Sequence, residues 1–214
     1  MSRTKEKKKI IHTPSTLEIF HSLTSCTDWV QLLLNQDHGY NPFIEGLIKN
    51  SFFKNEEERF TIKRLASELG YPTPKITKWI TAMYEDLINL NWDSPDLFRN
   101  DGIKHSLHFK NYDNYISLFL WLKTTPREFE TFSSPFLKAK MGTSSFCVTS
   151  VMHEFEDCEH KVEIILKGGF SNRYRSMLLE RAKFFGHIGL METFNDYDFQ
   201  IDDKLQNIYK SERF

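Results

Sequence analysis

The sequence predicts an α+β protein: an N-terminal helical region followed by a C-terminal antiparallel sheet covered by a helix. Two observations predict it. Through Met83 the apolar residues recur at three- and four-residue spacings, the period of a helix with one buried face. From Gly102 onward they alternate in short runs bounded by Gly, Asn and Asp, the pattern of strands joined by turns. A third observation makes a packed core affordable. Of 214 residues 40% are hydrophobic, 19 of them Phe, which excludes an intrinsically disordered chain. The expected division is a flexible basic arm at 1–13, a helical domain at 14–101 and a sheet-plus-helix domain at 102–214.

The arm holds Arg3, Lys5, Lys7, Lys8 and Lys9, suited either to solubility or to phosphate contact. Ser15 with Glu18 forms a capping box, and Leu17, Phe20 and Leu23 then line a first helix. Thr27-Asp28 restarts a second, with Trp29, Val30, Leu33 and Leu34. His38 to Pro42 reads as a turn, and Phe43, Leu47, Ile48 and Phe52 as a short helix before the acidic run Glu56 to Glu58.

Between Ile62 and Thr81 the spacing is specific. Leu65 and the small Ala66 face inward on one helix. Gly70 falls where the turn needs φ > 0, Thr73 offers an N-cap oxygen, and Pro74 sits at the first helical position. Ile76, Trp79, Ile80 and Met83 form the buried stripe of the next helix. Lys75, Thr77, Lys78 and Thr81 are read as its outer stripe. These twenty residues resemble the helix-turn-helix superfamily of DNA-binding domains. The resemblance implies that the helix starting at Pro74 enters the major groove of double-stranded DNA. Thr73, Thr77, Lys78 and Thr81 would make contacts there, while Lys63, Arg64 and Lys75 hold phosphates. A strand at 87–92 paired with one at 105–110 would add a wing, as in winged helices.

In the second half, Ser106 to Phe109 and Tyr115 to Lys123 read as strands. Ser145 to Phe155 and Lys161 to Lys167 read as a hairpin around Glu156 to His160. After Gly168-Gly169, Ser171 or Asn172 caps a helix with an inner stripe of Tyr174, Met177, Leu178, Phe184 and Phe185. Arg173 and Arg175 in its first turn could attract an anion, or pair with Glu163 or Glu180.

Net charge is −1, so no long-range field selects nucleic acid or membrane. From Lys54 to Leu90 cations and acids balance, and any basic footprint must be local. Cys26, Cys147 and Cys158 are too few and too scattered for a disulfide framework, which suggests a reducing, cytoplasmic setting. The apolar run Leu118 to Leu122 is too short to span a bilayer, so no membrane association is expected. Cys147, His153, Cys158 and His160 invite a zinc reading, but their spacing matches no established metal pattern, and no metal or cofactor is expected. His153-Glu154 lacks the second His of a metalloprotease helix. No nucleophile elbow, phosphate loop or dinucleotide fingerprint occurs, so no enzyme activity is expected. The sequence thus points to a transcriptional regulator, with self-association through the C-terminal domain. The alternatives are a protein–protein adaptor using the same helical hairpin, or an enzyme with its site on the C-terminal sheet.

Overall fold

The computed structural model describes residues 9–53, 61–157, 159–170 and 172–210. Most of the basic arm, the acidic run at 56–58, Cys158 and Ser171 lie outside the described residues. The chain is α+β, with helices first and a five-stranded sheet after them.

Ser15 starts helix α1 (Thr16–Thr24): its hydroxyl accepts the Glu18 N–H at 3.2 Å. The Glu18 carboxylate does not close the expected box. It turns to His12 instead, 3.2 Å away. Helices α2 (Thr27–Leu32) and α3 (Asn41–Lys49) follow where the pattern places them. Helix α4 (Ile62–Leu69) is capped by Thr61, whose hydroxyl accepts the Arg64 N–H. Gly46 of α3 lets α4 approach closely: a Cβ there would sit 3.0 Å from Leu69 Cδ2.

Helix α5 (Thr73–Asp93) is the longest helix described, and it overturns the strand expected at 87–92. Leu87, Leu90 and Asn91 continue the buried stripe of Ile76, Ile80, Met83 and Tyr84. Helical spacing therefore persists, and no breaker intervenes until Ser94-Pro95. The wing built on that strand does not form.

Strands β1 (Ile103–Asn111), β2 (Asn114–Leu122), β3 (Thr131–Ser133), β4 (Ser145–Glu156) and β5 (Glu159–Gly168) make one sheet in the order β2-β1-β5-β4-β3. The hairpins β1–β2 and β4–β5 are antiparallel, but β1 runs parallel to β5, so the sheet is mixed. A parallel pair needs a long crossover, which local patterning cannot reveal. The short helix α6 (Lys138–Met141) lies within that crossover. The register of β4 on β5 shifts between Val148 and Ser150.

The sheet's buried residues Leu107, Phe109, Val162, Ile164 and Leu166 share one core with Phe20, Phe43, Ile80 and Leu87 of the helices. No break falls at residue 101. The compact units are Met1–Gly169 and Phe170–Phe214. The helix expected to cover the sheet belongs to the second unit, which has a core of its own. There α7 (Arg173–Phe184), α8 (Leu190–Asn195) and α9 (Asp198–Ile208) enclose Ala182, Ile188, Ile201, Leu205 and Tyr209. Leu178 and Leu179 pack on this cluster, whereas Tyr174, Met177, Phe184 and Phe185 of the expected inner stripe are exposed. Arg175 in the first turn of α7 is taken by Asp198 and Asp202 of α9 rather than by Glu163 or Glu180.

Candidate nucleic-acid interface

The turn between α4 and α5 has the geometry its sequence asks for. Gly70 adopts φ 71°, ψ 24°, and the Tyr71 N–H closes back on the Ala66 carbonyl at 3.2 Å. This left-handed closure satisfies a carbonyl at the end of α4 and reverses the chain in three residues. Helix α5 begins one residue earlier than expected. Pro72, not Thr73, holds the cap position in an extended conformation, and its carbonyl accepts the N–H groups of Lys75 and Ile76. Thr73 is thereby the first helical residue, and its hydroxyl is not the cap.

An aromatic cluster makes the turn rigid. Tyr71 and Trp79 meet edge-on with centroids 5.0 Å apart, and Phe43 of α3 lies 5.7 Å from Trp79. The large Trp79 is absorbed this way, half-buried beside the fully buried Ile76 and Ile80. The Lys75 ammonium stands 4.5 Å over the Trp79 ring, a cation–π contact that fixes the amine without neutralising it.

The helical wheel separates residues that the sequence reading grouped. Lys75 and Thr77 lie about 160° apart around α5, on opposite flanks of its outer surface. Lys78 lies between them on the outer surface, and Thr73, Thr77 and Thr81 fall toward the flank away from Lys75. Lys63, Arg64, Lys75 and Lys78 are exposed, whereas Thr73, Thr77 and Thr81 are half-buried. The Thr81 hydroxyl donates to the Thr77 carbonyl at 3.1 Å and retains only its acceptor capacity.

Local charge is less balanced than a residue count suggests. Glu68 is engaged by Arg64, and Asp86 accepts the Tyr40 hydroxyl at 2.6 Å. Burial, reinforced by that carboxylate, pushes the Tyr40 hydroxyl far above its ordinary pKa, so it remains a donor. Lys63, Lys75 and Lys78 form no ion pair with any described residue. Among the described residues, a small cationic surface therefore lies at the start of α5, and the nearest free acid on the same helix, Glu85, lies about two turns further on.

The described residues of the zinc spacing, Cys147, His153 and His160, do not converge on one point, and Cys158 lies outside the described residues. The register shift in β4 changes strand parity, so Cys147, opposite Lys167, and His153, opposite Val162, occupy opposite faces. His153 and His160 do meet, with Nδ1 and Nε2 2.9 Å apart and centroids separated by 5.2 Å. Those two distances describe an end-on N–H···N hydrogen bond, not two lone pairs converging on an ion. Among the described residues no group of three metal-capable side chains gathers.

The sequence reading missed a second histidine arrangement. His105 on β1 is fully buried; its Nδ1 is 2.7 Å from the Ile103 carbonyl and its Nε2 2.9 Å from Thr125 Oγ1. The carbonyl requires Nδ1–H, and in the neutral ring Nε2 then accepts the Thr125 proton. Burial lowers its pKa, opposed by the carbonyl bond and assisted by His153 and His160. Its place in β1 beside Leu107 and Phe109 was the only available signal. Thr125 lines a cavity of about 270 Å³ together with Pro126, Arg127, Glu128, Val151 and His153.

No protein-family model matches this chain, and comparisons with curated proteins and with solved structures return no match. Among the described residues, no helix is long and apolar enough to cross a membrane.

Proposed function

We propose that the protein binds double-stranded DNA through α4 and α5 and acts as a transcriptional regulator. The observation that carries this reading is the closed left-handed turn at Gly70, which presents the start of α5 with Lys75 and Lys78 exposed and unpaired among the described residues. Lys78, exposed on the outer surface, faces the groove with the half-buried Thr81 beside it. Lys63, Arg64 and Lys75 hold flanking phosphates, and Thr73 and Thr77 border the contact on the other flank. The residues that α5 offers to the groove include no Arg, Asn or Gln to pair bidentately with a base. Discrimination between sequences therefore rests on DNA shape and on presenting two copies at once. Self-association through the exposed apolar side chains of α7 supplies the second copy. The test is fluorescence anisotropy with a labelled random duplex at low salt, comparing the native chain with a Lys75→Glu, Lys78→Glu double variant. The reading expects binding by the first and at least tenfold weaker binding by the second, with unchanged circular dichroism.

A further inference from the structure

Strand β4 has an open edge. On its outer side β3 pairs only from Ser145 to Cys147, and the segment at 129–130 exchanges backbone bonds with Val148. From Ser150 to Glu156 no described strand lies on that side. An unpaired edge is a template for another extended chain, and proteins commonly blunt it with Pro or Lys. The sequence from 150 to 156 contains neither.

Three further features make this edge a prepared one. Phe155, 76% exposed, lies flat on the His160 ring at 4.4 Å, and His160 in turn holds His153. These three rings are therefore held together before anything binds, which reduces the cost of association. The cavity walled by Thr125 to Glu128 opens beside Val151 and His153, where an added strand would place a side chain. Charge then selects the occupant. The sequence from 150 to 163 holds five carboxylates and one lysine, with Glu154 and Asp157 exposed; at the cavity the exposed Glu128 and Arg127 offset one another, so the acidic excess comes from the hairpin. Two copies paired antiparallel over Ser150 to Glu156 would set their two Glu154 residues as diagonal neighbours on one face, which opposes self-pairing.

We infer that the open edge of β4, from Ser150 to Glu156, binds a lysine- or arginine-rich extended peptide by strand addition. Main-chain hydrogen bonds to the edge supply affinity, and the carboxylates supply selectivity for cationic side chains.

The probe is a fluorescein-labelled octapeptide, Lys-Val-Lys-Thr-Lys-Val-Lys-Thr, titrated with the full chain at about 50 mM salt, where surface charges are weakly screened. Saturable binding is expected, with amides of 150–156 gaining protection from hydrogen exchange. An analogue N-methylated at every residue, and the same peptide with Glu for Lys, should each bind at least tenfold more weakly. The Glu154→Gln, Asp157→Asn double variant should lose at least fivefold. Asn tolerates the left-handed backbone at position 157 (φ 49°), so this variant keeps the turn. Equal binding of the methylated analogue would show charge attraction without strand addition and overturn the inference. So would absence of binding, equal binding of the acidic peptide, or undiminished binding by the folded variant. Protection of 150–156 by a second copy, seen without peptide as a concentration-dependent dimer, would overturn it too.

Discussion

Single residues decide whether the turn and the buried histidine behave as described. Gly70 is the one residue type that adopts φ 71° there without steric cost. Gly70→Ala should destabilise the chain by about 1–2 kcal/mol, read as a lowered urea midpoint with an unchanged slope. His105 carries a pH signature. Its folded pKa lies below the ordinary histidine value because burial disfavours the charged ring. At pH above about 6.5 both folded and unfolded chains hold it neutral, and its contribution is fully present. As pH falls below that value the unfolded chain takes a proton that the folded chain resists, so stability declines until the lowered folded pKa is reached. Urea midpoints between pH 8 and 5 should fall more steeply for the native chain than for His105→Gln. Gly70 was legible because its conformational demand is local. His105 was not, because a strand pattern cannot tell which polar residue will be enclosed.

At the level of elements, α5 joins the two halves of the first unit. Its N-terminal turns pack with Tyr71 and Phe43, while near its other end Asn91, fully buried, reads the backbone of β2. The Asn91 amide donates to the Phe119 carbonyl at 2.9 Å and accepts the Phe119 N–H at 2.8 Å. One side chain thus stands in for a missing neighbour strand on the outer edge of β2 and blunts it. Asn91→Ala should cost roughly 2–3 kcal/mol in chemical denaturation, since it leaves two backbone groups unsatisfied away from water. The periodic elements were readable: α1, the α4–α5 turn, strands β1 and β2 and the β4–β5 hairpin fall where spacing places them, although the pairing of β1 with β2 was not read. The strand expected at 87–92 was not, since Ile88 and Leu90 fit alternation as well as Leu87, Leu90 and Asn91 fit a helix. Only the core shows which pattern is used. The same limit hid the register shift in β4, which reversed the facing of Cys147 relative to His153.

At the level of the whole molecule, the α+β class followed from the change of period near Gly102, but the division into units did not. Composition shifts where helices give way to strands, yet both contribute to one core, and the compact boundary falls later, at Gly169. The second unit encloses few side chains while exposing Met177, Phe184 (84% exposed), Phe185 and Leu190. A three-helix unit with so small a core gains from covering such a surface. Sedimentation velocity should therefore show a dimer at micromolar concentration, and Met177→Glu with Phe184→Glu should yield a folded monomer.

The most direct test of DNA recognition by α4 and α5 is the salt dependence of binding to a random duplex. With Lys63, Arg64 and Lys75 on phosphates, the logarithm of affinity should fall against the logarithm of salt with a slope of about −3 per protomer. Lys75→Glu with Lys78→Glu should abolish both the binding and the slope. No measurable binding at low salt, or binding that the folded double variant retains unchanged, would contradict the account.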